Sequence, residues 1–293
     1  MRPAAAHPAY TGRFAPSPTG KLHLGSLLAA LGSFLDARAQ SGVWRVRIED
    51  LDRGRVVPGC AGQMLRTLEA FGLHWDHAVE YQSAHTLRYE QALARLRGAG
   101  LTFECSCSRR ELPDEGGYPG TCRDGPRGSG PTATRFRVPA RTVTFLDRVQ
   151  GACQFDLAAR GDVIVRRRDG VCAYQLAVVC DDAAQGVTDV VRGADLLDST
   201  PWQIALQEAL GLPPVRYAHL PLITEPDGAK LAKSRHAIGL DPREAPAQLM
   251  RTLRLLRQDP PAELELEPVG SILRWAIQHW QIAPLAGVRE VCA

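Results

Sequence analysis

The run Arg13-Phe-Ala-Pro-Ser-Pro-Thr-Gly-Lys-Leu-His-Leu-Gly-Ser26 decides how the rest of the chain is read. Tyr10 to Phe14 reads as a short strand entering a loop rich in Pro and Gly. From Leu24 to Ala39 the apolar residues recur at helical spacing, and Gly42 follows as a stop. Val43 to Ile48 is a second strand of β-branched and aromatic residues, ending in the acids Glu49, Asp50 and Asp52. Strand, loop, helix and strand open a doubly wound α/β nucleotide-binding fold, whose ligands sit beyond the carboxyl ends of the strands. Gly25, at the mouth of the helix, lets a phosphate approach closely, and the exposed amides and helix dipole favour an anion there.

Lysine usage singles out the same place. Of 35 basic residues only Lys21, Lys230 and Lys233 are lysine, and the last two share the motif Lys230-Leu-Ala-Lys-Ser234. A chain that uses arginine nearly everywhere else keeps lysine where a compact ammonium is wanted. Nucleotide phosphates are the obvious target for such a point charge.

The 293 residues suffice for a full core, and 45% hydrophobic content is that of a soluble globular protein. We expect one large domain with insertions and a small appendage. A net charge of +3 does not by itself announce nucleic-acid binding, so local arginine clusters must carry that argument. No apolar run reaches the length of a membrane span. Met1 to Pro8 has neither the cationic start nor the apolar stretch of a secretory signal. The eight cysteines are not spaced as a disulfide framework, so reduced thiols and a cytoplasmic setting are expected.

Further along, helices are predicted over Pro58–Phe71 and Ser83–Arg97, the second capped by Ser83. Val163–Arg168 and Val171–Tyr174, joined by Asp169-Gly170, read as a hairpin. A helix near Gln175, a strand at Thr188–Val191 and a helix over Pro201–Leu210 follow. Arg216 to Thr224 leads into the lysine motif, with helices beyond it at Ala245–Arg257 and Val269–Trp280. This divides the chain into 1-100 and 163-239 as two halves of a Rossmann-type catalytic domain. An insertion occupies 101-162 and a short helical region 240-293.

Several of these stretches carry a family resemblance. His23-Leu-Gly-Ser26 and Lys230-Leu-Ala-Lys-Ser234 resemble the paired nucleotide signatures of class I aminoacyl-tRNA synthetases. Arg13 to Gly20, Arg47-Ile-Glu-Asp-Leu-Asp52 and Val191-Arg-Gly-Ala-Asp195 narrow the resemblance to the glutamyl branch, and it runs from Tyr10 to Gly239. It implies a ligase that joins L-glutamate to the α-phosphate of ATP. In that chemistry the protein holds two anions in line and stabilises charge moving to the leaving group. By resemblance His23, Gly25, Ser26, Lys230 and Lys233 bind ATP, with His23 and Lys233 acting on the phosphates in the transition state. Arg13, Ser17, Glu49, Tyr174 and Arg192 line the glutamate pocket, with Glu49 facing the ammonium group. Ala232 departs from the pattern, which often has serine there. Magnesium is expected with ATP, though no carboxylate cage is apparent. Outside the motif, His23 would read as a satisfied loop histidine, Glu49 as a solvated strand-end acid and Arg192 as a surface ion-pair partner.

Cys105, Cys107 and Cys122 suggest a zinc knuckle in a reduced chain. A closed structural site needs a fourth ligand, and Cys153 is the ordinary substitute. The short glutamyl enzymes use a tyrosine oxygen four residues before the last cysteine, which the resemblance maps to Tyr118. Cys60, Cys172, Cys180 and Cys292 read as small buried residues. Arg166-Arg-Arg168 and the series Arg251, Arg254, Arg257 could grip RNA phosphates, or be ordinary solvated faces.

Full-length glutamyl enzymes add a helical anticodon-binding region after the second signature, and here the chain ends soon after it. That architecture resembles the glutamyl-Q tRNA(Asp) synthetase family. Its members activate glutamate without tRNA and charge it onto queuosine in the anticodon of tRNA(Asp). One rival is a minimal glutamyl-tRNA synthetase charging the 3′ end of tRNA(Glu). The other is a catalytically silent tRNA-binding paralogue, against which the set His23, Gly25, Glu49, Arg192 and Lys233 argues. A monomer is expected.

Overall fold

The computed structural model describes residues 9–112, 117–224 and 239–292. β1 (Thr11–Phe14), α1 (Leu24–Arg38) and β2 (Val43–Ile48) form the opening unit, with β1 and β2 parallel and Arg13 in register with Arg45. After α2 (Cys60–Ala70), the short β3 (Glu80–Tyr81) extends this sheet beside β2, and α3 (Thr86–Gly98) follows.

The next segment contributes β4 (Thr102–Cys105), β5 (Ala133–Phe136), β6 (Thr142–Asp147), β7 (Gly151–Asp156), α4 (Leu157–Arg160) and β8 (Val163–Arg166). β4, β5 and β8 make a small antiparallel sheet. The rest of the chain gives α5 (Tyr174–Ala184), β9 (Asp189–Gly193), α6 (Thr200–Leu210), β10 (Arg216–Leu220) and β11 (Leu222–Thr224). α7 (Ala245–Leu255), α8 (Val269–His279) and β12 (Glu290–Cys292) close it. β10 lies parallel to both β9 and β6, so the β6–β7 hairpin belongs to the sheet of the second half, in the order β7-β6-β10-β9. The two halves meet where the Thr188 amide, at the entry to β9, donates to Thr11 O at 2.9 Å.

α1 is the axis of the main core. Leu28, Leu31 and Leu35 are at most 2% exposed and share one cluster with Leu249, Leu253 and Leu256 of the C-terminal region. Burying each such side chain contributes about 1.5–3 kcal/mol. Gly32 permits the close approach of Leu220 to the helix, since a Cβ there would stand 2.5 Å from Leu220 Cδ1. Asp36, buried in the same helix, accepts hydrogen bonds from Tyr10, Arg148 and Trp280. The C-terminal helices are thus fastened to the first strand and helix. Among the described residues no helix is long and apolar enough to cross a membrane.

Three local expectations change. Ser83 does not cap the third helix: it sits in a 3-10 turn over Gln82–His85, and its amide and hydroxyl donate to Asp50 at 2.8 and 2.6 Å. The carboxylate at the end of β2 outcompetes the helix for these donors. The predicted hairpin is only half formed, because β8 has β5 as its neighbour and the return arm makes one bridge, Arg166 with Cys172. Its turn is as expected, with Gly170 at φ +84°. Of the four cysteines read as buried, Cys172 is half-buried and Cys292 is exposed, the latter because period-two alternation along β12 turns Val291 inward.

Candidate active site

A cavity of about 680 Å³ opens at the carboxyl ends of β1, β2 and β9, and Arg13, Ser17, Glu49, Tyr174 and Arg192 all line it. Each comes from a strand end, the loop after it or a helix start, as the doubly wound fold requires. Behind this lining is a buried charge network in which the sequence reading had no part. Asp182 on α5 holds Arg13 at 3.1 Å and Arg47 at 2.8 Å, and Arg47 is fully buried. Arg47 also stands 3.5 Å from Glu49 and donates to Gln185 Oε1 at 2.5 Å. The neighbouring Asp181 accepts from Gln82, Arg88 and Tyr89. Two acids in an otherwise apolar helical run were the available signal for these partners.

The network treats its acids differently. Burial alone would raise the Asp182 carboxyl, but Arg13 and Arg47 outweigh it and hold the group below the usual range. For Glu49 burial wins: its carboxyl is pushed up, Arg47 and Arg13 offset this only in part, and Asp182 and Asp181 add to it. Glu49, with its side chain 9% exposed, is a carboxylate short of positive charge at the wall of a cavity. An ammonium group would supply that charge.

His23 is the N-cap of α1, and its Nδ1 accepts the Ser26 amide hydrogen bond at 3.3 Å. That bond leaves the ring proton on Nε2, and burial lowers the pKa of the ring, so the side chain is a neutral donor. Gly25 allows the tight start, since a Cβ there would sit 3.1 Å from His23 Cε1. His23, Gly25 and Ser26 are not among the residues lining the cavity, although Ala29, one turn along the helix, is. Lys230 and Lys233 lie outside the described residues. The chain returns at Gly239, which bridges to His23 in antiparallel fashion, and the Leu240 amide donates to Leu22 O at 2.8 Å. The segment that follows the lysine motif is therefore fastened to the first motif.

Away from the cavity, the thiols of Cys105, Cys107 and Cys122 lie within 4.8 Å of one another and could hold a metal ion. Cys107 Sγ is 3.5 Å from Cys122 Sγ, and the Tyr118 hydroxyl oxygen lies 3.5 Å from Cys105 Sγ and 3.9 Å from Cys107 Sγ. A tetrahedron of sulfurs about zinc has edges of about 3.8 Å, so these separations suit one. Burial works against the Cys122 thiolate, but hydrogen bonds from Ser106, Tyr118 and Cys107 prevail and bring the thiol to about 6. Tyr118 reaches the cluster because Gly161, at φ +70°, lets the two backbones touch; a Cβ there would lie on the Tyr118 carbonyl. Cys153, on β7, is not part of the cluster.

Both arginine series lie at the surface. Arg166, Arg167 and Arg168 are exposed, and Arg167 lines the cavity while pairing with Asp52 at 3.1 Å. Arg251, Arg254 and Arg257 are exposed as well, with Arg254 paired to Glu265.

The comparisons with known proteins agree with this geometry. The family model "tRNA synthetases class I (E and Q), catalytic domain" matches residues 10–118 and 119–255. The glutamyl-Q tRNA(Asp) synthetase of Pseudomonas paraeruginosa is 53% identical over 273 residues, covering 92% of this chain and 93% of its own. That of Dechloromonas aromatica is 52% identical over 282 residues, covering 92% and 94%. The crystal structure of glutamate-tRNA synthetase from Elizabethkingia anophelis superposes with a TM-score of 0.77 at 22% identity, over 98% of this chain and 68% of that one. A glutamate tRNA ligase from Elizabethkingia meningosepticum, in complex with its amino acid, gives a TM-score of 0.74 at 22% identity, over 97% and 66%. At that identity the two structures speak for the fold.

Proposed function

The chain belongs to the class I tRNA synthetases of the glutamate and glutamine branch, and from that premise we propose that it activates L-glutamate with ATP, without tRNA, and transfers it to queuosine in the anticodon of tRNA(Asp). The observation that carries the activation step is one cavity lined by two buried guanidinium groups, Arg13 and Arg192, and the carboxylate of Glu49. That is the complement of an amino acid with a second carboxylate. In this reading Arg192 and Arg13 hold carboxylate oxygens of glutamate, Glu49 faces the ammonium, and Ser17 and Tyr174 fix the remaining contacts. His23 Nε2–H donates to the ATP phosphates as charge builds, the Gly25 and Ser26 helix mouth receives them, and Lys230 and Lys233 neutralise the leaving pyrophosphate. Magnesium accompanies the ATP.

The acceptor follows from the relatives, which match this chain over nearly their whole length. Queuosine carries a cis-diol like that of a terminal ribose, so the same adenylate can serve it without a new catalytic group. Cys105, Cys107, Tyr118 and Cys122 would hold one structural zinc ion, bracing the part of the inserted region at 101-162 around β4 and β5. The β6–β7 hairpin of that region joins the sheet of the catalytic half at 163-239, and the other half is 1-100. The short helical region at 240-293 supports α1.

Glutamate-dependent pyrophosphate exchange in the absence of RNA tests the first step. For the second, labelled glutamate should pass to tRNA(Asp) from queuosine-competent cells and not to the same tRNA lacking the modification. Removal of the 3′-terminal adenosine should leave charging intact. Efficient charging of tRNA(Glu) at its 3′ end would overturn the reading.

A further inference from the structure

Arg192 is held on every side but one. Its Nε–H donates to His219 Nε2 at 3.1 Å, Nη2 donates to Thr200 Oγ1 at 3.0 Å and Leu196 O at 3.4 Å, and Nη1 donates to Tyr174 OH at 3.3 Å. A guanidinium has five N–H donors, so these contacts leave one on Nη1 for the cavity that Arg192 lines. The aim of that donor depends on a histidine nitrogen, and Nε2 accepts only when it carries no proton.

Asp147 fixes the tautomer. Its Oδ1 takes three backbone amides, those of Val149 at 2.9 Å, Gln150 at 2.8 Å and His219 at 3.1 Å. Its Oδ2 stands 2.6 Å from His219 Nδ1. An ionised carboxylate only accepts, so Nδ1 carries the hydrogen and Nε2 presents its lone pair to Arg192. Both side chains are buried, at 0% and 1% exposure, and neither lines the cavity. Burial also lowers the His219 pKa, with the Arg192 charge adding to it against the opposing pull of Asp147, which keeps the ring neutral. The Thr200 hydroxyl oxygen also lies 3.2 Å from Nε2; with that lone pair given to the Arg192 Nε–H, the hydroxyl hydrogen goes to Leu196 O, 3.3 Å away.

We infer that Asp147 and His219 are positioning residues that set the aim of Arg192 and so the affinity for glutamate. The inference rests on Arg192 binding a carboxylate of that substrate. It puts two residues from separate strands, β6 and β10, into the specificity apparatus without contact to substrate.

Asp147→Asn is the direct test. The three backbone donors hold the amide oxygen at the Oδ1 place, so the amide nitrogen replaces Oδ2 and donates to Nδ1. The ring proton then moves to Nε2 and confronts the Arg192 Nε–H. In glutamate-dependent pyrophosphate exchange the KM for glutamate should rise about 10- to 100-fold, the loss of one hydrogen bond to a charged group. The KM for ATP and kcat should move much less. A matched pair at His219 separates aim from packing. His219→Gln places an oxygen where Nε2 was and recovers most of the affinity, whereas His219→Asn serves only Asp147 and behaves like Asp147→Asn. Nitrogen-15 NMR of the unmodified protein should show His219 protonated on Nδ1, a readout that stands even if Asp147→Asn fails to fold.

An unchanged glutamate KM in folded Asp147→Asn, equal behaviour of the two His219 variants, or an Nε2-protonated ring would each overturn the inference. A wild-type chain whose exchange ignores glutamate would strike the functional reading instead, and the two failures are told apart by that control.

Discussion

Asp182 grips Arg13 by its edge, Nε–H to Oδ1 at 3.1 Å and Nη2 to Oδ2 at 3.4 Å, with the side chains 5% and 3% exposed. The grip leaves Nη1 of Arg13 for the cavity and gives a buried cation its counter-charge. It also ties β1 to α5, the first half of the fold to the second.

Asp182→Asn keeps the shape and removes the charge that balances Arg13 and Arg47. Breaking a buried pair from one side costs about 3–5 kcal/mol, so the unfolding free energy in urea should fall by that order at pH 7. The Asp182 carboxyl titrates lower in the folded chain than in the unfolded one. Its contribution is therefore complete above the unfolded value and is lost as the pH drops through the folded one. The gap between variant and wild type should be flat at neutral pH and close below about pH 4. A gap that persists in acid would assign the stabilisation elsewhere.

Glu49 has the opposite sign. Its carboxyl is raised in the folded chain, so the protonated form is favoured by folding. Stability is greatest below the unfolded pKa, declines as the pH climbs towards the folded one, and carries a constant cost beyond it. Glu49→Gln should melt higher at pH 7, by about 2–4 °C for each 1 kcal/mol relieved, yet bind no glutamate by calorimetry. In the wild type, glutamate should bind more weakly as the pH falls through the folded pKa, because the ammonium needs the carboxylate. A variant that melts lower would show the charge to be stabilising after all.

Metal analysis of protein purified without added zinc should give one equivalent per chain. Cys107→Ser should lower it and loosen the surrounding strands, since metal-binding free energy becomes folding free energy in such a cluster. Tyr118→Phe is the sharper variant. The ring keeps its stacking under Arg135, whose guanidinium carbon lies 3.7 Å from the centroid, and only the oxygen is lost. Metal affinity should drop with the secondary structure intact by circular dichroism. Full metal content after both Cys105 and Cys107 are changed would refute the site.

What the sequence made legible was local. The strand, loop and helix from Thr11 to Arg38 follow from residues adjacent in the chain, and so do the Gly170 turn and the cysteine cluster. What it hid was pairing at long range. Asp182 meets Arg13 across 169 positions and His219 meets Asp147 across 72, and nothing in the spacing of a strand or helix encodes such partners. Ser83 shows the same limit from the other side: a good local capping residue was claimed by Asp50, 33 positions away. Arg13, Ser17, Glu49 and Arg192 emerged early because the quoted motifs contain them, and Tyr174 through the family resemblance. Asp182, which holds Arg13, and Asp147, which reaches Arg192 through His219, belong to no motif.

In the proposed reading His23 has two separable duties, divided between its two ring nitrogens. Nδ1 caps α1 through the Ser26 amide, and Nε2–H has no acceptor among the described residues. Asparagine matches the first nitrogen in reach and is among the preferred N-cap residues, so His23→Asn should keep the melting temperature within a few degrees. It should nevertheless lose about 10²–10³ in kcat for pyrophosphate exchange, the usual consequence of removing one transition-state donor. Glutamine matches the second nitrogen, so His23→Gln should retain more of the rate while losing the cap, at about 0.5–2 kcal/mol in stability. The ordering is the test: asparagine the more stable, glutamine the more active. If asparagine were the more active of the two, the phosphate role of His23 would fail and the residue would be a helix cap alone.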